Sequence, residues 1–313
     1  MLEKTVDAAR GKWHGILEAL GIDPKYLRNV HGPCPICRDG KDRFRLDDKD
    51  GDGTYICNQC GAGSGFTLIQ KVRGWDFARA AREIDAVVGN VQIQEAKDQQ
   101  TEAEKVAAIK RMMGKAVKLA PGVPAWDYLV GRCKITEPPA DLWSHPGITH
   151  PGGSGTHPAL LAVMRYADGQ GSSIHRTFLT KDGWKAPLEP CRMVMPGKPI
   201  NGSCVRLGPV VDGRVGIAEG IETALCASSL FGIPVWAAIS AGGLTTWDPP
   251  ASIKSVIIFG DNDATFTGQS SAYILARRLK LAGLDVDVQI PSVKGADWCD
   301  MMTSCATPIR AHT

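Results

Sequence analysis

Apolar residues change their spacing along the first ninety residues, and the changes predict helices around a small hairpin. Residues 1–30 place apolar side chains at near-helical intervals, which predicts one or two helices. Residues 31–65 are rich in Gly, Asp and Cys, and two short β-like runs, 42–46 and 54–56, flank an Asp/Gly turn. The helical pattern returns over 65–88.

The middle of the chain is more polar and less periodic. Residues 91–120, rich in Gln, Glu, Lys and Ala, predict a helical linker after an amino-terminal domain of residues 1–90. Over 121–212 the helical period gives way to Gly/Pro turns and short strand-like runs such as 174–179. This pattern predicts a small α+β subdomain.

The last hundred residues, 213–313, alternate strands with helices. This alternation is typical of a mainly parallel, Rossmann-like sheet with helices on its faces, so the fold class is predicted to be α/β. Ligands of such sheets bind at the carboxyl ends of the strands. The predicted strands are 214–218, 234–240, 254–260 and 286–291, and the predicted helices are 221–231 and 268–281.

Composition excludes several protein classes. The chain has 313 residues, of which 43 % are hydrophobic, and this excludes fibrous and disordered proteins. No apolar run reaches the 18 residues of a membrane span and no signal peptide is recognisable, so we expect no membrane partner and a place in the cytoplasm of a bacterial host cell. The ten cysteines are therefore expected to stay reduced.

Charge is unevenly distributed between two neighbouring segments. Residues 101–215 contain 15 Lys and Arg against 9 Asp and Glu, whereas residues 216–313 contain 6 against 9. A basic surface attracts phosphates and an acidic cluster attracts divalent cations. The split fits a protein that handles both, although ordinary surface variation would also produce it.

Four cysteines have the spacing of a metal site. Cys34 and Cys37 form one C-x-x-C pair, Cys57 and Cys60 form another, and nineteen residues separate the pairs. Two such pairs around a hairpin predict one structural Zn²⁺ held by four thiolates, with no open position for water. A redox C-x-x-C is the weaker alternative.

Cations and aromatic residues alternate on the predicted hairpin. Arg43 and Arg45 share one face, and Phe44 and Tyr55 lie on opposing strands. This pattern suits stacking on single-stranded bases and pairing with phosphates. A charged outer face with Phe44 buried inward explains the pattern equally well.

Carboxylates follow two predicted parallel strands. Glu219 directly follows the first strand, and Asp261 and Asp263 follow another. Neighbouring strands would bring these acids to one rim, where Mg²⁺ or Mn²⁺ would neutralise them and support phosphoryl transfer. Any one of them could instead cap a helix. Further candidates for this metal site are Glu222, Asp297 and Asp300.

These motifs together resemble the primases of phages, satellite phages and plasmids, and more distantly the bacterial replicative primases. The four-cysteine ribbon precedes Glu219-Gly-Ile-Glu222, which resembles the Toprim glutamate motif, and Asp261-Asn-Asp263, which resembles its D-x-D motif. The segment between them resembles the basic subdomain of these enzymes. Its matching residues are Ile174-His-Arg-Thr-Phe-Leu179, Lys185, Arg192 and Val205-Arg206-Leu207-Gly208.

The resemblance implies a nucleotidyltransferase that synthesises short RNA primers on single-stranded DNA. Glu219, Asp261 and Asp263 would hold the catalytic metals, and Glu219 could act as general base. Ribonucleoside triphosphates, template or the primer hybrid would be held by four basic residues, Arg176, Lys185, Arg192 and Arg206. The zinc ribbon would read the start sequence on the template.

The chain departs from the family pattern in two respects. Bacterial primases carry an acid four residues after the motif glutamate and a second D-x-D, whereas Glu222 lies three residues on and Asp297 and Asp300 are separated by two. No G-x-x-x-x-G-K-[ST] loop occurs, so the replicative helicase is expected to be a separate protein.

Two other functions combine similar motifs. A Toprim nuclease would use the same metals to cleave DNA. A recombination mediator with a zinc site and a Toprim domain would bind DNA without chemistry, but that family lacks the basic subdomain of about one hundred residues.

Overall fold

The computed structural model describes residues 2–89 and 101–305. The chain divides into two compact units, residues 1–99 and 100–313. The predicted linker over 91–120 falls partly outside the described residues, and its described part contains helix α5, Glu102–Met113. No described helix combines the length and apolar character needed to cross a membrane.

The first unit packs four helices with a three-stranded antiparallel sheet. The predicted helix over 65–88 is two helices, because Gly74 adopts a left-handed conformation (φ 66°) that ends the first. The second begins at the side-chain cap of Asp76. The helices are α1 (Leu2–Ala9), α2 (Trp13–Ala19), α3 (Gly65–Arg73) and α4 (Phe77–Val88), and the strands are β1 (Phe44–Leu46), β2 (Tyr55–Cys57) and β3 (Gly61–Gly63).

Trp13 lies at the centre of the core of this unit and is fully buried. The α3 backbone approaches its indole so closely that a Cβ at Gly65 would lie 2.3 Å from Trp13 Cε3. Only glycine fits there, so Gly65 allows α3 to pack on α2. Apolar residues from both helices, including Ile16, Leu17 and Leu68, complete the core.

The second unit is built on one ten-stranded mixed sheet. The last four of its strands along the chain are parallel, and the others pair antiparallel. The predicted α/β class with a parallel sheet in the last hundred residues is confirmed. The strands are β4 (Val117–Lys118), β5 (Leu142–Thr149), β6 (Thr156–Arg165), β7 (Gly171–Phe178), β8 (Arg192–Val194), β9 (Cys204–Val205), β10 (Arg214–Ala218), β11 (Val235–Ala237), β12 (Ser255–Phe259) and β13 (Asp285–Gln289).

The sheet runs without a break through the predicted basic and Toprim subdomains. Its order is β13-β12-β10-β11-β9-β6-β5-β4, and β7 pairs with β6 and β8. The short strand β9 joins the two regions because it pairs antiparallel with both β11 and β6. The remaining helices are α6 (Pro124–Cys133), α7 (Ile221–Phe231), α8 (Ala241–Thr246), α9 (Thr267–Leu281) and α10 (Trp298–Cys305).

An aromatic cluster fixes α10 to the sheet. The buried Trp298 ring meets the rings of Phe231 and Phe259 edge-on, at centroid distances of 5.2 and 5.6 Å. These contacts place the start of α10 beside the carboxyl ends of the parallel strands. The predicted acids of 297–300 are therefore brought to the rim formed by β10 and β12.

Candidate zinc centre and acidic rim

The four cysteines of the first unit converge on one point. The thiol sulfurs of Cys34, Cys37, Cys57 and Cys60 all lie within 4.8 Å of one another, and Cys34 Sγ is 3.9 Å from Cys60 Sγ. A tetrahedral ion with Zn–S bonds of about 2.3 Å separates its sulfurs by about 3.8 Å. The geometry fits the structural Zn²⁺ predicted from the spacing.

The hairpin beside this centre is arranged differently from the predicted nucleic-acid surface. Phe44 and Tyr55 are each only 2 % exposed and stack on each other in the core, with ring centroids 5.6 Å apart. Their prediction as base-stacking residues is wrong for this conformation, because the hairpin turns them inward. Arg43 pairs with Asp39 and Gln59, and Arg45 pairs with Asp47, so both cations already have partners.

The parallel strands bring the predicted acids of the second unit to one rim. Ala218 of β10 is in register with Phe259 of β12, so Glu219 and Asp261 follow neighbouring strand ends. Burial and the charge of Asp263 raise the pKa of Glu219, while the Ala241 N–H and a nearby arginine oppose this rise. The three acids therefore interact, as the strand order requires.

Asp261 has the pKa that departs most clearly from its ordinary value among the rim acids. Its pKa rises from 3.8 to about 7, first because of burial and then because of four carboxylates, Glu219, Asp297, Asp263 and Asp300. Its buried Oδ1 has no hydrogen-bond partner in the described chain. A buried carboxylate oxygen without a donor, surrounded by negative charge, suits a divalent cation.

The rim acids are not packed as closely as the thiols. Within residues 101–305, no three of them bring an oxygen each within 4.8 Å of one another. Mg²⁺ is usually held by one or two carboxylates and keeps several waters. The spacing therefore fits that coordination better than a closed cage of protein ligands.

Several rim acids also cap loops and helices. Asp263 Oδ2 accepts from the Gly268 N–H at 2.8 Å, which closes the loop into α9. Asp297 and Asp300 accept from each other's backbone N–H groups at 2.8 and 3.1 Å, a reciprocal cap at the start of α10. This cap is the structural reason for their two-residue separation.

Asn262, between the two aspartates of the motif, connects the loop after β12 to the segment between β13 and α10 by hydrogen bonds. Its backbone N–H donates to the Ala296 carbonyl at 3.1 Å, and its side chain donates to the Pro291 carbonyl at 2.8 Å. These bonds tie the loop before α10 to the end of β12 and so bring Asp297 near Asp261. Asn262 was not among the predicted site residues, although its position inside the motif was a usable signal.

Glu222 has cationic partners instead of a place among the rim acids. Its Oε1 lies 2.7 Å from Arg192 Nη2 and 3.2 Å from Lys185 Nζ, and it accepts a hydrogen bond from the Tyr128 hydroxyl. It is absent from the carboxylates that raise the pKa of Asp261. These contacts contradict its predicted role as a metal ligand. No sequence pattern pointed to Tyr128.

Two of the four predicted phosphate-binding cations are engaged elsewhere. Arg176 is 7 % exposed and lies over the Phe178 ring at 5.8 Å. Arg206 donates to the carbonyls of Tyr166 and Ala167 at 2.7 and 3.0 Å, and so fastens the turn between β6 and β7. Arg176 is therefore buried, and Arg206 is committed to backbone carbonyls. Lys185 and Arg192 remain.

Three further cysteines cluster in the core of the second unit. The Sγ atoms of Cys133, Cys226 and Cys299 lie within 4.8 Å of one another, and all three residues are buried. Cys226 and Cys299 form a disulfide between α7 and α10, with Cα atoms 5.2 Å apart. The expectation that every thiol stays reduced is therefore wrong for this pair.

Three domain families match consecutive parts of the chain. Residues 29–66 match a zinc-binding domain of primase-helicase, and residues 214–307 match a Toprim domain. Residues 103–207, which cover most of the predicted basic subdomain over 121–212, match a domain of unknown function, DUF7146. The two named matches coincide with the thiol cluster and the acidic rim.

Solved primase structures are similar to the chain at low identity. The primase fragment of the bacteriophage T7 primase-helicase is 14 % identical, with 88 % of this chain and 95 % of that chain covered and a TM-score of 0.39. The Aquifex aeolicus primase with zinc-binding and RNA polymerase domains is 14 % identical, with 96 % and 82 % covered and a TM-score of 0.33. A Pseudomonas aeruginosa primase domain is 12 % identical, with a TM-score of 0.34; the match covers 51 % of this chain and about half, 52 %, of that one.

The domain matches carry the assignment, because the structural similarities are too weak to add to it. The four clustered thiols fall inside the zinc-binding match, and Glu219, Asp261 and Asp263 fall inside the Toprim match. The chain thus joins a primase-type zinc-binding domain to a Toprim domain, which confirms its resemblance to the primases.

Proposed function

We propose that this protein is a DNA primase that synthesises short RNA primers on single-stranded DNA. The observation that carries the proposal is Asp261, whose buried carboxylate oxygen lacks a donor within a rim of acids. Two half-exposed cations, Lys185 and Arg192, pair with Glu222, and the charge of Arg192 acts on Glu219 of the rim. Phosphoryl transfer requires carboxylates that bind divalent metal ions and, close to them, positively charged side chains that bind phosphates.

The residues of the rim take different parts in this reaction. A divalent cation, Mg²⁺ or Mn²⁺, would supply charge neutralisation at the α-phosphate. Asp261 and Asp263 would hold it, and Glu219 would hold it or accept the proton of the primer 3′-hydroxyl. The raised pKa of Glu219, caused by burial and the charge of Asp263, suits a group that accepts a proton.

Lys185 and Arg192 would receive the triphosphate of the incoming ribonucleotide. The zinc ribbon would contact the single-stranded template, with Arg43 and Arg45 available only after their surface ion pairs open. Such exposed pairs contribute little stability, so phosphates can replace the carboxylate partners. A separate helicase would supply unwound template.

Primer synthesis tests the proposal directly. Zinc-loaded protein is incubated with single-stranded DNA of varied sequence, labelled ribonucleotides and Mg²⁺ or Mn²⁺, and the products are resolved on a gel. We expect short RNA products that disappear in Glu219→Gln and Asp261→Asn. The exposed Asp182→Asn serves as a matched control and should leave synthesis unchanged.

Other outcomes would contradict the proposal. Cleavage of the DNA without primers, lost in the same two variants, would indicate a Toprim nuclease. Tight DNA binding with neither activity, unchanged when replicative helicases are added, would indicate a recombination mediator.

A further inference from the structure

A buried carboxylate connects the β7–β8 hairpin to the first turn of α7. Tyr128 of α6, Lys185 between β7 and β8, and Arg192 of β8 all direct a donor to the same oxygen, Glu222 Oε1. The three donors come from separate segments of the chain. One carboxylate therefore fixes the relative positions of two cations.

The cluster keeps a net positive charge that faces solvent. Burial would raise the pKa of Glu222, but Arg192, Lys185 and the Tyr128 hydroxyl outweigh it and lower the pKa to about 2. Glu222 is thus ionised at neutral pH, and two cations share one anion. The side chains of Lys185 and Arg192 are 39 % and 46 % exposed, whereas Glu222 is buried.

Arg192 acts electrostatically on the acidic rim, and both cations retain donors. The charge of Arg192 lowers the pKa of Glu219, which shows that the cluster lies within electrostatic reach of the rim. A guanidinium has five N–H donors and an ammonium has three, so Glu222 occupies only part of either set. A second, larger anion can bind the remaining donors.

We propose that Glu222, held by Tyr128, is a positioning residue that sets Lys185 and Arg192 side by side as a receptor for a triphosphate. Two long side chains lose much conformational freedom when they bind an anion, and prior tethering reduces that loss. The inference rests on the proposed function, in which these two cations receive the ribonucleotide. It adds a reason for the burial of Glu222 and Tyr128 beside these two cations.

The test measures triphosphate binding apart from primer synthesis. Inorganic tripolyphosphate is titrated into the full-length, zinc-loaded chain by calorimetry, in buffer without Mg²⁺. We expect Glu222→Gln to weaken binding about tenfold and Tyr128→Phe about threefold, since the second change keeps every charge. Lys185→Met should weaken binding at least tenfold, and the matched control Lys181→Met, an exposed cation on the same loop, should have no effect.

Steady-state primer synthesis then separates positioning from mere structural support. The KM for the ribonucleotide should rise in Glu222→Gln and Tyr128→Phe about as much as the tripolyphosphate affinity falls, while kcat changes less than twofold. A fall in kcat with unchanged KM would overturn the inference.

Two binding results would also overturn it. Unchanged affinity in Glu222→Gln would mean that the cations need no tether, and tighter binding would make Glu222 a competitor of phosphate. If that variant fails to fold, unchanged affinity in Tyr128→Phe is sufficient to reject positioning. Loss of tripolyphosphate binding in both variants, with no primers from the wild type, would support the receptor while rejecting the proposed polymerase.

Discussion

Replacing Asp261 by Asn should stabilise the protein while abolishing its use of a divalent cation. The two side chains have almost the same shape, so the change removes a charge without opening a cavity. In the folded chain that charge is buried, lacks a donor at Oδ1 and faces other carboxylates. Without a cation, the rim therefore favours a neutral group at this position.

The magnitude follows from the pKa of Asp261, which burial and the neighbouring acids raise from 3.8 to about 7. Each factor of ten in the ionisation constant is worth about 1.4 kcal/mol, so ionisation costs the folded chain roughly 4 kcal/mol. Solvent reaches part of this half-buried carboxylate and screens the repulsion. We therefore expect the variant to gain about 2 kcal/mol of unfolding free energy at pH 8, or about 5 °C in Tm.

The pH dependence has a definite sign. Because the folded pKa of Asp261 lies above the unfolded value, the destabilisation is complete above about pH 7 and is lost as the pH falls towards 3.8. The advantage of the variant should shrink by more than half between about pH 8 and about pH 5. An advantage that grows at low pH would refute the reasoning.

Thermal melts of full-length wild type, Asp261→Asn and the exposed control Asp182→Asn measure both effects. The buffer is freed of divalent cations on a resin, because a soluble chelator would also remove zinc. Adding Mg²⁺ should raise the Tm of wild type and control, since a ligand that binds only the folded state stabilises it. Equal stabilisation of Asp261→Asn by Mg²⁺, or a variant less stable than wild type in its absence, would contradict the assignment of this rim.

Three further changes probe other parts of the structure. Cys57→Ser should lower the zinc content and expose residues 1–89 to proteolysis while 101–305 resist, and equal zinc content would contradict the four-thiolate centre. Gly268→Ala would place a Cβ 2.6 Å from the Asp261 carbonyl oxygen, so primer synthesis should fall more than tenfold. Gly242→Ala is the control: its Cβ would have no heavy atom within 4 Å, so this variant should keep wild-type rates. Asp141→Asn would leave the partly exposed Arg165 without the carboxylate that it pairs with at 2.8 Å. The denaturant midpoint should therefore fall by an amount equivalent to about 1.5 kcal/mol, and an unchanged midpoint would refute this.

Features that depend on neighbouring residues were predictable from the sequence. Each C-x-x-C pair forms its own turn, and the hairpin between the pairs needs only local strand and turn preferences, so the spacing of Cys34 to Cys60 was enough to predict the zinc centre. Glu219 directly follows a buried strand, and Asp261 follows another buried strand after one glycine. Parallel strands end at a common edge, so the strand–acid order was enough to predict the rim.

The direction of individual side chains was decided by the tertiary structure. From the sequence, the Phe44 side chain could have faced solvent or the core. In the structure it is buried and stacks on Tyr55 in the core of the first unit. The continuity of the sheet through β9 could not be predicted from the sequence either, because a two-residue strand has no periodic pattern of apolar residues. Arg176 and Arg206 matched a basic motif, yet packing buried Arg176 over the Phe178 ring and bonded Arg206 to a turn.

Glu222 combines a position that the sequence determines with contacts that only the tertiary structure determines. The sequence determined that an acid lies in the first turn of a helix beside the Toprim glutamate. Its partners Tyr128 and Arg192 are 94 and 30 residues away along the chain, and only the packing of α6, α7 and β8 brings them together. A carboxylate binds whichever positive group the fold places next to it, so its chemistry is a property of the assembled structure.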